Sequence, residues 1–252
     1  MKKCIFENNL KSVYVDGNYA MKVFAKDYHK TDVLYEALNT SRVEDAGVSI
    51  PKLVSVSVED GQWVITSEYA QGITLAALME QHPEHMNEYI DKLVEYQIDF
   101  QSKTNPLLLK LKDKLARQIS SLTDLDSSIR YELETRLESM PKHTKLCHGD
   151  YSPENIIVTT DDNNMITTIT AVDWVHATQG NASADVANTY LLIKLRNSDA
   201  ADLYLNRFCE ATNTSKDYVT KWLPIVAAAR LTKKKPEEKD LLEQWIDVVD
   251  FQ

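Results

Sequence analysis

The feature that most constrains this chain is a polar segment near its middle that leads directly into an apolar, β-branched run. Residues 147–158 read CHGDYSPENIIV. They place an Asp and an Asn five positions apart, at Asp150 and Asn155. A segment of this kind predicts a loop of irregular backbone whose polar side chains are fixed by the rigid strand that follows.

A second carboxylate follows at Asp173, after another β-prone run. The order Asp, Asn, Asp meets the needs of phosphoryl transfer, in which one carboxylate accepts the proton of an attacking hydroxyl and oxygen ligands hold Mg²⁺. We therefore predict that Asp150 is a catalytic base and that Asn155 and Asp173 are metal ligands. The alternative for Asp150 is a carboxylate that only caps a turn. His148 is expected to be a buried, hydrogen-bonded scaffold residue.

Hydrophobic patterning changes once along the chain, near Gly72. Before it, short β-prone runs flank two turn sequences at residues 16–18 and 59–62, which predicts two hairpins. Residues 31–44 between them show helical spacing, and one of the first two residues is expected to cap the helix. The N-terminal part is therefore predicted to be a small sheet of about four or five strands with one helix.

After Gly72, helical spacing dominates. Apolar residues predict helices in five segments: 75–79, 89–100, 107–122, 129–140 and 182–249. Residues 156–158 and 166–172 are predicted to be two short, paired strands. The lysine run at residues 233–235 is predicted to be a solvated loop between helices, because acidic residues follow it at once.

A nucleotide site also needs a cation on the phosphates, commonly a Lys that is held by a Glu of a helix. Lys22 lies in a β-prone run and Glu36 lies in the helix that follows, so this pair is the first candidate. Lys26 and Glu44 are the fallback pair. Residues 7–12, where a phosphate-binding loop is expected, contain no glycine, so backbone amides would have to bind phosphate there without one.

Composition disfavours several classes of protein. The formal charge of −10, from 28 Lys and Arg against 38 Asp and Glu, disfavours nucleic-acid binding. It is compatible with a cationic substrate, although solubility alone explains it. Three cysteines without CxxC spacing argue against disulfides and zinc. No apolar run of about 18 residues predicts a membrane span, and the N-terminus turns polar too early for a signal peptide, so a cytoplasmic location is expected.

These residues together resemble the aminoglycoside phosphotransferase and choline kinase group of the protein-kinase-like superfamily. The blocks that resemble it span most of the chain: residues 148–150 with Asn155, 172–174 and 184–187, and less specifically 21–24 with Glu36 and 68–72. Gly149 stands where protein kinases usually have Arg, which favours the small-molecule branch. Only residues 174–184 separate Asp173 from the next helix, too few for the activation segment that binds a peptide substrate.

The resemblance implies an α+β, bilobal protein-kinase-like fold. Residues 1–70 would form a small, β-rich nucleotide-binding lobe with one main helix, and residues 71–252 a larger, mostly helical catalytic and substrate-binding lobe. It implies that ATP, or alternatively GTP, and Mg²⁺ bind between the lobes, with the backbone of Glu68 and Ala70 on the base. It also implies that Asp185 braces the catalytic loop, and helix capping is the alternative role for that residue.

We therefore expect a kinase that transfers the γ-phosphate of ATP to a hydroxyl of a small, polar molecule, with a cationic, aminoglycoside- or choline-like acceptor as one option. Four acidic residues are either partners for ammonium groups of the acceptor or a solvated helix face: Glu88, Asp91, Glu95 and Asp99. Three polar residues either reach the acceptor or only stabilise their loop: His176, Gln179 and Asn181.

Two alternatives to this function remain. One is a nucleotide-binding, pseudokinase-like protein without turnover, which the missing glycines favour and the intact Asp150, Asn155 and Asp173 disfavour. The other is an atypical protein kinase without an activation loop. Neither nucleic acid nor a membrane is an expected partner, and no pattern in the sequence indicates an oligomer interface.

Overall fold

The first part of the chain folds into a five-stranded antiparallel sheet in the computed structural model, which describes residues 2–246. The strands are β1 Lys3–Glu7, β2 Lys11–Asp16, β3 Tyr19–Phe24, β4 Leu53–Glu59 and β5 Gln62–Glu68. They lie in the order β1-β2-β3-β5-β4. Both predicted hairpins, β2–β3 and β4–β5, are confirmed, and an Asp-Gly pair lies in each of their turns.

One helix, α1 Lys30–Asp45, packs against this sheet, as predicted. Its N-cap is His29, whose side chain makes no capping hydrogen bond. The expected cap by Thr31 or Asp32 is wrong, because the helix begins earlier and both residues lie inside its first turn. Apolar side chains of the sheet and the helix form a small cluster: Phe24, Val33, Ala37 and Ile65.

The rest of the described chain is mostly helical. The helices are α2 Leu75–Gln81, α3 Met86–Gln101, α4 Leu111–Ser120, α5 Ser127–Ser139, α6 Ala182–Lys194, α7 Ser198–Thr212, α8 Lys216–Thr220, α9 Leu223–Leu231 and α10 Pro236–Ile246. The region predicted as helical from residue 182 thus divides into α6 to α10, and its last predicted residues, 247–249, lie outside the described residues. In the described part, every helix is too short or too polar to cross a membrane.

The helix predicted from residue 107 begins only at Leu111, because the preceding residues form a turn that a distant residue holds in place. The side-chain amide of Gln179 donates to the carbonyl oxygens of Pro106 and Leu108, each at 2.9 Å. The backbone N–H of Gln179 donates to the carbonyl oxygen of Leu109, also at 2.9 Å. These three bonds fix residues 106–109 against β10, ahead of the first turn of α4.

Five short strands surround the polar loop: β6 Ile73–Thr74, β7 Lys145–Cys147, β8 Ile156–Thr160, β9 Ile166–Ala171 and β10 Thr178–Gly180. The predicted hairpin of β8 and β9 is confirmed, β6 pairs with β8, and β10 pairs with β7. The backbone N–H of Val172 donates to the carbonyl oxygen of Asn155 at 2.9 Å and extends the hairpin by one pair. Asn155 and Asp173, the predicted metal ligands, therefore lie at the same end of this hairpin.

Aromatic side chains fill the core beneath the polar loop. Phe100 of α3 packs edge-on against Tyr151 and Trp174, with ring centroids 5.2 and 5.3 Å apart. The ring of Trp174 also lies 4.3 Å from that of His148. The hydroxyl of Tyr151 donates to the carbonyl oxygen of Leu93 at 2.8 Å. The loop therefore rests on close-packed, rigid side chains on its inner side.

Gly72 joins the sheet to the helical part at a place where a side chain does not fit. Its φ is +130°, and a Cβ there would lie 2.0 Å from the carbonyl oxygen of Val158 in β8. Gly72→Ala should therefore separate β6 from β8 and lower the thermal midpoint of unfolding markedly. Gly17→Ala is the matched control, because its φ is +60° and nothing lies within 4 Å. It should cost about 1–2 kcal/mol for the backbone alone, and equal losses in the two variants would contradict this account.

Candidate active site

The polar loop between β7 and β8 brings Asp150 and Asn155 into contact. Residues Pro153–Asn155 form one turn of 3₁₀-helix. The side-chain amide nitrogen of Asn155 donates to the backbone carbonyl oxygen of Asp150 at 2.8 Å. Because its nitrogen is engaged within the loop, the amide oxygen of Asn155 is the atom of this side chain that can bind a cation.

A buried carboxylate holds the backbone of this loop. Asp185 of α6, which is 2% exposed, accepts hydrogen bonds from the backbone N–H groups of Gly149 at 2.8 Å and His148 at 3.2 Å. It also accepts one from the side-chain amide of Gln101 at 3.3 Å. Hydrogen bonds to an ionised acceptor are among the strong ones in proteins. Asp185 therefore braces the loop, and the N-cap of α6 is Asn181 instead.

His148 confirms the prediction of a buried, hydrogen-bonded scaffold residue. Its Nε2 lies 3.1 Å from the carbonyl oxygen of Val172, and its Nδ1 accepts from the backbone N–H of Asp150 at 3.2 Å. These partners assign the neutral tautomer with the proton on Nε2. Burial lowers the pKa of the imidazole and keeps it neutral. His148 thus fixes the position of Asp150 and is not a second base.

Gly149 is required where it stands. Its φ is +80°, and a Cβ there would lie 2.6 Å from the backbone carbonyl oxygen of His176. The loop and the segment after Asp173 therefore approach each other more closely than any side chain at position 149 would allow. Close packing of these two backbone segments thus explains why Gly149 stands where protein kinases usually have Arg.

Lysines from the sheet converge on Asp173. Lys22 of β3 forms an ion pair with Glu36 of α1, and its Nζ lies 3.2 Å from Oδ1 of Asp173. The Nζ of Lys11, at the start of β2, lies 3.3 Å from Oδ2 of the same carboxylate. The structure thus brings together three residues predicted for the site and adds Lys11, which sequence reasoning missed.

The register of the β2–β3 hairpin explains the position of Lys11. Val13 of β2 pairs with Lys22 of β3, so both side chains lie on one face of the sheet. Lys11 precedes Val13 by two residues and shares that face, because side chains along a strand alternate. The Asp-Gly turn that fixes this register is visible in the sequence, so this signal could have identified Lys11.

The charges in this cluster stabilise one another. Burial alone would raise the pKa of Asp173, but Lys22 and Lys11 hold it well below its usual range. Burial opposes the charge of Lys22 as well, but Asp173 and Glu36 raise its pKa above the ordinary lysine value. Asp173 is therefore an anion and Lys22 a cation at neutral pH. Asp173 also has a left-handed backbone, with φ of 64°, a conformation that non-glycine residues adopt mainly at turns and functional sites.

The donor set of Asn155 and Asp173 fits a hard divalent cation. An anionic carboxylate and a neutral amide oxygen are ligands that Mg²⁺ prefers, with water and phosphate oxygens at its other positions. Within residues 2–246, no cluster of three or more His, Cys, Asp or Glu side chains offers a separate metal site. The roles of these two residues as metal ligands stay predictions.

Two cations from the end of the chain contact Asp150. The Nη1 of Arg230 lies 3.0 Å and the Nζ of Lys233 lies 3.1 Å from Oδ1 of this carboxylate. Glu238 of α10 holds the guanidinium of Arg230 by two hydrogen bonds at 2.5 and 2.7 Å. The predicted solvated loop is wrong for Lys233, because its side chain turns inward to Asp150. The spacing of Arg230 and Lys233, about one helical turn, is the only trace of this contact in the sequence.

The segment expected to hold the nucleotide base is fixed on both sides. The backbone N–H of Glu68 donates to the carbonyl oxygen of Lys52 at 2.9 Å, and the Glu68 carboxylate accepts from the N–H of Lys52 at 3.1 Å. The N–H of Tyr69 donates to the carbonyl oxygen of Asn18 at 2.8 Å. Ala70 follows directly. Contact of Glu68 and Ala70 with a base stays a prediction.

Several residues that the sequence offered as alternative site residues make other contacts in the structure. Lys26 is exposed, and the Glu44 carboxylate accepts from the backbone N–H of Leu53 at 3.4 Å, so the fallback pair does not form. Gln179 holds the segment before α4 and Asn181 caps α6, so both stabilise their loop. Three acidic residues of α3 pair with cations on the protein surface: Asp91 with Arg207, Glu95 with Lys92 and Asp99 with Lys103.

Comparison with known proteins identifies the family of this chain. Residues 6–218 match the model of the phosphotransferase enzyme family, and the protein belongs to that family. The matched region includes the sheet with Lys22, the loop with Asp150 and the helix with Asp185. No curated protein sequence matches the chain.

Solved structures share the fold. A thermostable mutant of aminoglycoside phosphotransferase APH(4)-Ia, in ternary complex with AMP-PNP and hygromycin B, is similar with a TM-score of 0.72 and 17% identity, over 99% of this chain and 92% of that one. ADP-bound APH(2'')-Ib has a TM-score of 0.63 and 12% identity, over 98% and 90%. A choline/ethanolamine kinase family protein from Mesorhizobium loti has a TM-score of 0.58 and 14% identity, over 98% and 84%. The predicted α+β, bilobal protein-kinase-like fold is confirmed.

Replacing Asp185 by Asn tests how much the loop depends on this carboxylate. Asp185→Asn keeps the shape of the side chain but turns one acceptor oxygen into an NH₂ group that faces an N–H donor. The variant should lose about 1–3 kcal/mol of unfolding free energy in a denaturant titration, and its activity should fall with it. Asp162→Asn, in the exposed turn between β8 and β9, is the control and should change neither. A stable, active Asp185→Asn variant would contradict the bracing role.

Proposed function

We propose that the protein transfers the γ-phosphoryl group of ATP to a hydroxyl of a small, polar molecule, with Mg²⁺ as the metal. The observation that carries this proposal is the placement of Asp150, Asn155 and Asp173 on one loop and one hairpin end, held by buried hydrogen bonds, with Lys22 against Asp173. Membership of a phosphotransferase family supports the reaction class. The contacts among Asp150, Asn155, Asp173 and Lys22 support these residues as the ones that carry out the reaction.

Asp150 acts on the acceptor. The acceptor oxygen forms a bond to the γ-phosphorus while the bond from that phosphorus to the β–γ bridging oxygen breaks. ADP leaves, and the hydroxyl proton passes to the Asp150 carboxylate. Burial alone would raise the pKa of Asp150, but Lys233 and Arg230 hold it well below its usual range. Such a weak base suits a loose transition state, in which orienting the hydroxyl matters more than removing its proton early.

Lysines and backbone groups hold the nucleotide in this proposal. Lys22, oriented by Glu36, and Lys11 bind the phosphates, and Lys11 supplies charge beside the segment that lacks glycine. The backbone of Glu68 and Ala70 binds the base. Similar structures were solved with AMP-PNP and with ADP, which supports ATP rather than GTP as the phosphate donor.

Asn155 and Asp173 would hold the magnesium ion. When bound, Mg²⁺ neutralises charge on the phosphate oxygens. The hydrogen bond from Val172 to Asn155 and the bond from Asn155 to Asp150 hold Asn155 and the end of the hairpin next to Asp173.

A small acceptor agrees with the short segment after Asp173. A 3₁₀ turn at Trp174–His176 and strand β10 fill it before α6 begins, so it offers no platform for a peptide. An aminoglycoside phosphotransferase of similar fold was solved in ternary complex with AMP-PNP and hygromycin B. This supports a hydroxyl compound of that size class.

A second candidate function is nucleotide binding without transfer. The segment at residues 7–12 has no glycine, and Asp150 is contacted by two cations that compete for its oxygens. Both features would slow turnover. The intact set of Asp150, Asn155 and Asp173 favours catalysis.

Asp150→Asn decides between these two functions. The variant removes the proton acceptor but keeps the size of the side chain. It should lower kcat for the best acceptor by about 10²–10⁴-fold while it still binds ATP. The measurement is transfer from Mg·ATP to a panel of cationic, neutral and anionic hydroxyl compounds (aminoglycosides, choline, sugars, macrolides, hydroxy acids and sugar phosphates), with ATP binding followed by calorimetry. Nucleotide binding without transfer to any acceptor, unaltered in Asp150→Asn, would favour the second candidate.

Lys22→Ala tests the phosphate side of the site. Loss of a charge-assisted contact should weaken ATP binding by about tenfold or more and leave the fold intact. Lys26→Ala is the matched control, since Lys26 is exposed on the loop that follows the same strand, and it should bind ATP as the wild type does. A folded Lys22→Ala variant with unchanged ATP affinity, or an equal loss in Lys26→Ala, would contradict the assignment.

A further inference from the structure

A pocket beside Asp150, between α4, α6 and α9, has three cationic side chains in its lining. Lys114 of α4, Arg230 of α9 and Lys233 just beyond α9 all line it. The acidic residue in the lining is Asp185, and both of its oxygens already accept hydrogen bonds from the backbone of the catalytic loop. Two of the three cations are already paired, Arg230 with Asp150 and Glu238 and Lys233 with Asp150.

Lys114 differs from the other two cations because it has no acidic partner. Arg230 and Lys233 share the carboxylate of Asp150. Lys114 takes part in no ion pair with residues 2–246, and its Nζ donates to the backbone carbonyl oxygen of His176 at 3.0 Å. An ammonium group has three N–H donors. Two of them therefore remain for a ligand in the pocket.

The pKa values of Lys114 and His176 are lowered by burial and by neighbouring cations. Burial and the neighbouring charge of Lys233 lower the pKa of Lys114 to about 8. Burial, Lys114 and Lys233 lower the pKa of His176 to about 3, so this imidazole is neutral. A cation that is withdrawn from water without a counter-ion is costly to bury. A bound anion would offset that cost.

The same charges disfavour a cationic acceptor. An ammonium compound in this pocket would lie beside Lys114 and Lys233. The acidic residues of α3 give no compensation, because none of them lines the pocket and three of them pair with surface cations.

We propose that the acceptor carries an anionic group, a carboxylate or a phosphate, a few bonds away from the hydroxyl that is phosphorylated. This rests on the proposed transfer at Asp150. Lys114 and Lys233 bind the anion. Because Lys233 also contacts Asp150, an anion held by Lys233 places the neighbouring hydroxyl beside the base. Carboxylates and phosphates accept several charge-assisted hydrogen bonds at once, which suits two ammonium groups that converge on one pocket.

Acceptors that share a skeleton and differ in charge test this proposal directly. One series is glycerate, glycerol phosphate, glycerol and aminopropanediol, and a second is gluconate, glucose phosphate, glucose and glucosamine. Binding of each to the protein saturated with Mg·AMP-PNP is measured by calorimetry, and transfer from Mg·ATP by product analysis. The anionic members should bind about tenfold or more tightly than the neutral ones, and the cationic members least. The carboxylate and phosphate members of each series distinguish the two kinds of anion.

Variants on α4 assign the preference to Lys114. Lys114→Met should reduce the ratio of affinities for anionic over neutral members towards one, and Lys114→Arg should restore it. Lys112→Met removes the same charge from the same helix, but Lys112 donates to the carbonyl oxygens of Glu138 and Met140, away from the pocket. That control should keep the wild-type preference. Thermal unfolding of each variant checks that it folds.

The outcomes separate this inference from the proposed function. Equal binding of all members, tightest binding of a cationic member, or an anion preference that persists in folded Lys114→Met would each overturn the inference. Transfer to neutral or cationic acceptors that still requires Asp150 would leave the kinase function standing in those cases. Anion binding that depends on Lys114 and persists in Asp150→Asn, with no transfer by the wild type to any member of either series, would support the anion site and contradict the kinase.

Discussion

The carboxylate of Asp185 is the interaction on which the rest of the site depends. It accepts hydrogen bonds from two consecutive backbone N–H groups, those of His148 and Gly149, in a buried setting where unpaired groups would be costly. Those bonds fix the turn that presents Asp150, and His148 continues the chain of contacts to Val172. One buried charge thus sets both the base and the hairpin end that carries the predicted metal ligands.

Local patterns were enough to predict most of the fold and the core of the site. Two Asp-Gly turns predicted the hairpins, and the register of the β2–β3 hairpin also places Lys11 on the same face of the sheet as Lys22. Features set by distant residues were not predictable. The late start of α4 depends on Gln179, which lies far along the chain. The contact of Lys233 with Asp150 likewise depends on how α9 packs, and the lysine run alone resembles a solvated loop.

Cationic side chains line the candidate site of a chain that is acidic as a whole. The protein carries a formal charge of −10, yet Lys11 and Lys22 lie on the nucleotide side of the site and Lys114 and Lys233 on the acceptor side. Net charge describes solubility, whereas a ligand in a cleft responds to the charges that line it. Lys114, which donates to a backbone carbonyl and forms no ion pair within residues 2–246, is the charge that the proposed anionic acceptor would meet, and the net charge of the chain gives no sign of it.

Transfer of labelled phosphate into a mixture of small molecules tests the central claim most directly. Wild-type protein and Asp150→Asn would each be incubated with Mg²⁺, ATP labelled on its γ-phosphate and a protein-free metabolite extract, and the products separated by anion exchange. The account predicts a labelled phosphomonoester that appears with the wild type, is lost with the variant and is more anionic than a singly phosphorylated neutral compound. Label that stays in ATP, or is released only as inorganic phosphate at equal rates with both proteins, would contradict it.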